Sequence, residues 1–299
     1  MWFKNLKIYR LNAAWNPRID ELDDALASVA FHPGNHSQPQ TLGWAPVRVN
    51  GRLAHAIGDQ LLLRLRAEKK LLPSTVVNQA AKERAADFEA QQGYKPGRKQ
   101  MKELKERIYD ELLPRAFSIS RDTLIWIDLK NRWLVIDAAA SAKADEALGL
   151  LAKTLSPFPA EPLYVEQSPG AAMTHWQAED ESPAGFTIDQ DTELRAAGDG
   201  KAAVRYVKHT PENEELRRHI ASGKQCTRLA LTWEDRISFV LTDSLDIKRV
   251  APLDLLTENS EASGLAEDER FNSDMALMTG EYAKLFDALL AALGGEKQA

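Results

Sequence analysis

The chain has 299 residues, 44% of them hydrophobic and 27% charged, with a formal net charge of −6. That length suits about two domains, and the balance is that of a globular protein, not of a disordered or collagen-like one. The apolar run at residues 288–293 is far shorter than the roughly 18 residues a membrane span needs, and a lone cysteine, Cys226, with no disulfide partner points to a reducing, cytoplasmic location.

The first residues, "MWFKNLKIYRL", alternate apolar and charged side chains. They read as a strand over 3–11 and lack the continuous apolar stretch of a signal peptide. "NPRIDELDDALASVAF" then has the grammar of a helix start: Asn16 as cap, Pro17 first, Asp20 and Glu21 in the opening turn, and Ile19, Leu22, Leu26 and Val29 as the apolar stripe. A polar loop, "HPGNHSQPQ", leads to a short strand near Trp44 and to a hairpin around "GDQ" with "LLLRLR" as its second arm. In that arm Leu62, Arg64 and Arg66 share one face, which makes it an arginine-bearing face.

Two helices follow, about 74–92 and 98–112, with Val77, Ala81, Ala85 and Phe88 in register on the first and Met101, Leu104, Ile108 and Leu112 on the second. Gly93 closes the first and Pro96-Gly97 forces the turn. Stripes this thin predict a helical hairpin that projects from the body.

Strands return in "TLIWIDL" and "RWLVID" on either side of the turn at Lys130-Asn131, and Ser141 is placed to cap a helix with Leu148, Leu151 and Leu155 aligned. The proline-rich "SPFPAEPL" at 156–163 is the best domain boundary. Beyond it "KAAVRYVKH" reads as a strand, Thr210-Pro211 opens a helix that Gly223 ends, strands follow at "RLALTW", "RISFVL" and "DIKRV", and a terminal helix carries Met275, Met278, Tyr282, Leu285 and Leu289. Both halves hold a strand ending in Trp-x-Asp, at Trp126/Asp128 and Trp233/Asp235. Strands and helices without regular alternation predict an α+β fold of mixed antiparallel sheets with packed helices. The expected division is an N-terminal α+β domain (1–73 and 113–160), the projecting hairpin (74–112) and a C-terminal α+β domain (161–299).

Charge is segregated along the chain. Residues 161–199 carry −8 and residues 254–274 carry −6, so the remainder totals +8. Such segregation allows one positive surface on an acidic protein, although charges of this kind are also common on solvated loops.

Catalytic signals are poor: there is no P-loop, GxGxxG, GxSxG or HExxH. His32 and His36 flank a Pro-Gly that prevents their sharing a helical face, so no metal is assigned. Asp128 and Asp137 have the chemistry of a metal-binding nuclease pair, but aspartates at strand ends more often cap turns. Cys226 lies near Lys224 and Arg228 without a histidine partner, and ordinary packing is the preferred reading. No catalytic residue and no cofactor is assigned.

The basic residues are more informative. Arg98, Lys102 and Lys105 follow i, i+4, i+7 spacing, with Lys99 beside them, and a cationic stripe is what phosphate contact requires. A solvated helix with internal pairs such as Glu103 and Arg107 explains the same run. A second set comprises Lys201, Arg205, Lys208 and His209, then Lys224, Arg228, Lys248 and Arg249. No base-reading module is present, so contacts with a nucleic acid would be to its backbone and independent of sequence.

The stretches "MWFKNLKIYRL", "LPSTVVNQA", "LLPRAFS", "WIDLKNRWLVIDAA", "LALTWEDRISFVL" and "LMTGEYAKL", with the tail "LGGE", resemble the RdgC family of bacterial recombination-associated proteins from end to end. The resemblance implies a ring-shaped homodimer whose basic hole accommodates duplex DNA, with single strands as a further candidate ligand. It also implies binding without sequence preference, association with the nucleoid, restraint of RecA-driven strand exchange, and no enzymatic activity. By position, Lys208 and His209 resemble a channel-lining segment, Phe117 an aromatic at a subunit interface, and residues 74–112 a projecting finger. The turn "QQGYKPG" departs from the family in composition, which leaves the individual finger lysines less defined than the element. The acidic blocks are expected outside the ring. The alternative reading is an adaptor that regulates recombination proteins through those blocks.

Overall fold

The computed structural model describes residues 2–49, 51–197, 202–209, 211–256 and 266–297. In chain order its elements are β1 (Asn5–Leu11), α1 (Ile19–Ala27), β2 (Gln40–Ala45), β3 (His55–Ile57), β4 (Gln60–Lys70), α2 (Ser74–Gln92), α3 (Arg98–Leu112), β5 (Ser118–Asp128), β6 (Trp133–Asp137), α4 (Ser141–Thr154) and β7 (Ala160–Pro162). They continue with α5 (Pro169–Glu179), β8 (Phe186–Ala196), β9 (Ala203–Tyr206), α6 (Asn213–Ala221), β10 (Lys224–Trp233), β11 (Ile237–Thr242), β12 (Ile247–Pro252) and α7 (Glu267–Ala292). The fold is mixed α and β on one large antiparallel sheet, in the order β2-β4-β5-β6-β1-β12-β11-β10-β8-β9, with β3 beside β4 and β7 beside β1.

β1 joins the halves. Leu6 to Arg10 pair with β6, while Asn5 and Leu6 pair with Lys248 and Ile247 of β12. Part of the proline-rich boundary, β7, is itself a strand against Tyr9 to Leu11.

Alternation in β4, β5 and β6 sends apolar side chains to both faces, so both must be covered. Leu61, Leu63, Ile125, Ile127, Leu134 and Ile136 pack under α1 and α4 in one cluster. Leu62, Trp126, Trp133 and Val135 face the other way and join a cluster with Tyr282 and Phe286 of α7. The ring of Phe286 lies 6.0 Å from Trp126 and 5.3 Å from Trp133. The last element of the chain thus covers the sheet of the first half. The same cluster takes in Leu229, Leu231, Phe239 and Leu241 of the second half, beneath Ala172, Met173 and Trp176 of α5.

The hairpin α2–α3 has its own small cluster: Val77, Ala81 and Ile108, flanked by Leu72, Met101, Leu104 and Leu112. Gly93 ends α2 at φ 78°, a left-handed position that costs glycine nothing. The Gln100 side chain accepts from the Gly97 N–H at 2.9 Å and so closes the start of α3.

Three local expectations are corrected. α1 begins at Ile19, after Arg18, with no side-chain cap, so Asn16 is not its cap. α4 is preceded by Ala140, and the Ser141 hydroxyl accepts from Lys7 Nζ at 3.1 Å instead of capping. The strand "KAAVRYVKH" ends at Tyr206, because Lys208 turns to φ 51°. Lys201 and Thr210 lie outside the described residues.

Candidate nucleic-acid interface

β10 alternates Leu229, Leu231 and Trp233 into the core with Arg228, Ala230 and Thr232 on the opposite face. β11 does the same with Phe239 and Leu241 against Ser238 and Val240. α5 and α6 lie on the core side, and no helix among the described residues packs on the other side of this half.

That bare face gathers side chains from far apart in sequence. Arg205 of β9 stands opposite Glu193 of β8, which stands opposite Arg228 of β10. Val240 of β11 pairs with Lys248 of β12, and Lys248 pairs in turn with Asn5 of β1. Arg205, Arg228, Lys248 and Arg249 line one shallow depression with Asp191, Glu193 and Tyr206. Four residues singled out from the sequence, Arg205, Arg228, Lys248 and Arg249, are therefore brought together.

Arg249 joins them through an irregularity that alternation alone conceals. Between the pairs Ser238↔Ala251 and Val240↔Lys248, β12 holds one more residue than β11, and Arg249 sits there at φ 54°. A bulge of this kind lets neighbouring residues serve one face. β8 also shifts register between Ile188 and Thr192, and Asp191 lies in that stretch on the same side as Glu193.

Asp189, Asp191 and Glu193 of β8 lie among the cations. Asp189 accepts from Thr232 Oγ1 at 2.8 Å. Asp191 pairs with Arg249 at 3.2 Å, and Glu193 pairs with Arg195 at 2.7 Å. Asp246, at the head of β12, is shared by Lys7 and, at 3.8 Å, Lys248. Among the described residues neither Arg205 nor Arg228 has an ion-pair partner within 4.0 Å. Cations (Lys7, Arg195, Arg205, Arg228, Lys248, Arg249) still outnumber carboxylates (Asp189, Asp191, Glu193, Asp246) on this face.

Electrostatics fit that picture. Burial opposes ionisation of Glu193, yet hydrogen bonds from Arg195 and Thr227 and the charges of Arg195 and Arg228 outweigh it and hold its carboxyl below the ordinary range. The Tyr206 hydroxyl is pushed up to about 12 by burial and by Glu215, to which it donates at 2.7 Å. That bond ties the short edge strand bearing Arg205 to α6.

Lys208 and His209 lie at the rim. The Lys208 N–H donates to Asp191 at 2.8 Å, and the His209 ring lies 6.1 Å from Tyr206. Lys224 begins β10 and donates to Ser222 at 2.9 Å. Arg98, Lys99, Lys102 and Lys105 are exposed on α3, on the separate hairpin, with Lys102 3.7 Å from Glu106. Phe117 is 85% exposed at the base of that hairpin, where its carbonyl accepts from Leu71, itself 52% exposed. Lys7, Arg195, Asp189, Asp191, Glu193 and Asp246 are the contributors that sequence reasoning missed; the alternation of β1 signalled Lys7.

The alternative chemistries find other roles. Asp128 is fully buried and accepts from the N–H groups of Lys130 and Asn131 and from the Asn131 amide at 2.8–2.9 Å, capping the β5–β6 turn. Asp137 accepts from the N–H groups of Lys4 and Asn5. The Cys226 thiol is pushed up to about 12 by burial, which leaves it a packing residue. Among the described residues no three metal-ligating side chains cluster, and no helix is long and apolar enough to cross a membrane.

Fold and site define an antiparallel-sheet protein with a surplus of cations on one bare face. A family model described as "Putative exonuclease, RdgC" matches residues 1–296. Proteins named "Recombination-associated protein RdgC" are similar along their whole length: 66% identity in Bordetella parapertussis and 59% in Cupriavidus pinatubonensis, each covering 100% of both chains. The relative from Paraburkholderia phymatum is 54% identical, over 99% of this chain and 97% of its own. The chain belongs to the RdgC family.

Proposed function

We propose that this protein binds DNA without sequence preference, as a ring-shaped homodimer of the nucleoid, and restrains RecA-driven recombination by occupying the DNA. The observation that carries the reading is the convergence of Arg205, Arg228, Lys248 and Arg249 on a bare sheet face. Arginines without carboxylate partners favour phosphate, because each phosphate neutralised releases condensed counterions. Two-fold symmetry would repeat that face around a closed ring. Phe117 and Leu71, adjacent and exposed, are the apolar pair we assign to the subunit contact. The hairpin lysines Lys99, Lys102 and Lys105, with Arg98, extend the grip on DNA.

The mechanism is occupancy and competition. The family description raises hydrolysis as a second reading, and the residues best suited to it, Asp128 and Asp137, each spend one carboxylate oxygen, Oδ1, on two backbone amides. Incubating the protein with linear duplex and Mg²⁺ separates the two: intact DNA is expected, and degradation lost in Asp128→Asn or Asp137→Asn would overturn the reading.

Binding is expected to weaken with salt at a log-log slope of about −0.9 per phosphate contacted. Arg205→Glu with Arg228→Glu should weaken binding to all sequences alike and flatten that slope by about 2. A flat salt response in the wild type, or loss on one sequence only, would refute backbone contact. For the ring, a dimer crosslinked beforehand should load on linear duplex and fail on closed circles; equal loading on both would refute encirclement.

A further inference from the structure

We infer that Asp191 is a built-in competitor of phosphate, occupying Arg249 on the bare face until a phosphate displaces it. The inference rests on the DNA-binding reading of that face. Asp191 does two things with two oxygens: Oδ1 accepts the Lys208 N–H at 2.8 Å, and Oδ2 pairs with Arg249 at 3.2 Å.

Both partners are held on left-handed backbone, Lys208 at φ 51° and Arg249 at φ 54°, conformations that side-chain-bearing residues adopt only where surroundings demand them. Asp191 itself stands where β8 departs from regular register. Its carboxylate is therefore fixed from one side by a main-chain amide, and the guanidinium comes to it. Arg249 remains 61% exposed in the pair, so an incoming phosphate oxygen reaches it without rearrangement of the sheet.

The consequence is a surface whose affinity is set below what its cations would give. Arg205 and Arg228 make first contact, and engagement of Arg249 requires exchange of one anion for another. Such an exchange favours a polyanion that already touches its neighbours over an isolated phosphate. It also keeps an occupied DNA site open to replacement by another protein.

Asp191→Asn isolates the charge. The asparagine oxygen still accepts from Lys208, while Arg249 is freed. The variant should bind duplex DNA about 2- to 5-fold more tightly at moderate salt, the range for removing one exposed ion pair, with a slope steeper by about 0.9.

Asp189→Asn is the control, since it removes the same charge from the same face but has Thr232 and no cation as its bonded partner. It should give a smaller gain and no change in slope. In an Arg249→Ala background the Asp191→Asn gain should vanish, as a double-mutant cycle requires of a coupled pair. Equal gains from Asp189→Asn and Asp191→Asn, or a gain that survives Arg249→Ala, would overturn the inference. Arg228→Glu distinguishes the levels: if it leaves binding intact the DNA-binding reading of the face fails, whereas if it weakens binding and Asp191→Asn has no effect, only the role of Asp191 fails.

Discussion

Glu281 lies buried on α7, with Arg236 at 2.7 Å and Lys284 at 3.1 Å. Burial alone would raise its pKa, but the hydrogen bonds and charges of those two cations outweigh it, and the carboxyl titrates below its ordinary value. A carboxyl with a depressed folded pKa stabilises the fold fully above its unfolded pKa of about 4.3, and that stability is lost as pH falls through the folded value. Glu281→Gln should therefore lower the melting temperature at neutral pH and flatten its decline below about pH 4.3. A variant curve parallel to the wild type over that acid range would remove the pair from the account. Asp128 makes a sharper case, because its fully buried carboxylate accepts three hydrogen bonds. Asp128→Ala strands two backbone N–H groups and should cost about 2–4 kcal/mol in denaturant unfolding. DNA affinity under native conditions should stay unchanged, since the carboxylate faces the turn and not the bare sheet.

Among the elements, the hairpin α2–α3 is a nearly separate structure whose apolar contacts end at Leu72 and Leu112. Replacing residues 74–112 by a short glycine-serine link should leave the body folded, with its thermal transition moved by only a few degrees. Collapse of that transition would show that the hairpin supports the sheet. The two helices of this element were legible in the sequence, because Gly93, Pro96 and Gly97 punctuate two local periodicities that need no distant partner. β4, β5, β6 and α7 were legible for the same reason. α5 and β8 were not: β8 reads "FTIDQDTELRA", where acids hide a strand whose core-facing Thr192 is polar and bonded to Gln177. For the site, the cations themselves could be picked out, but their convergence depends on strand order and on the irregularities at Asp191 and Arg249, which no local pattern encodes.

At the scale of the whole molecule, β1 and α7 join the two halves through shared contacts. β1 lends hydrogen bonds to β6 and β12, and α7 places Tyr282 and Phe286 against Trp126 and Trp133 while sharing its cluster with Leu229 and Leu241 of the second half. One sheet runs from β4 and β5, which lead into and out of the hairpin, to the strands that carry the bare cationic face. Phe286→Ala removes the ring at the centre of the aromatic group and should cost about 3–5 kcal/mol, the range for a large side chain lost from a core. Because the cluster is shared, the loss should appear equally in both halves. Hydrogen exchange on β5–β6 and on β10–β11 should accelerate together, with the same change in opening free energy. If β10–β11 keep their protection while β5–β6 lose theirs, the halves unfold independently and the continuous sheet is only a contact between two domains.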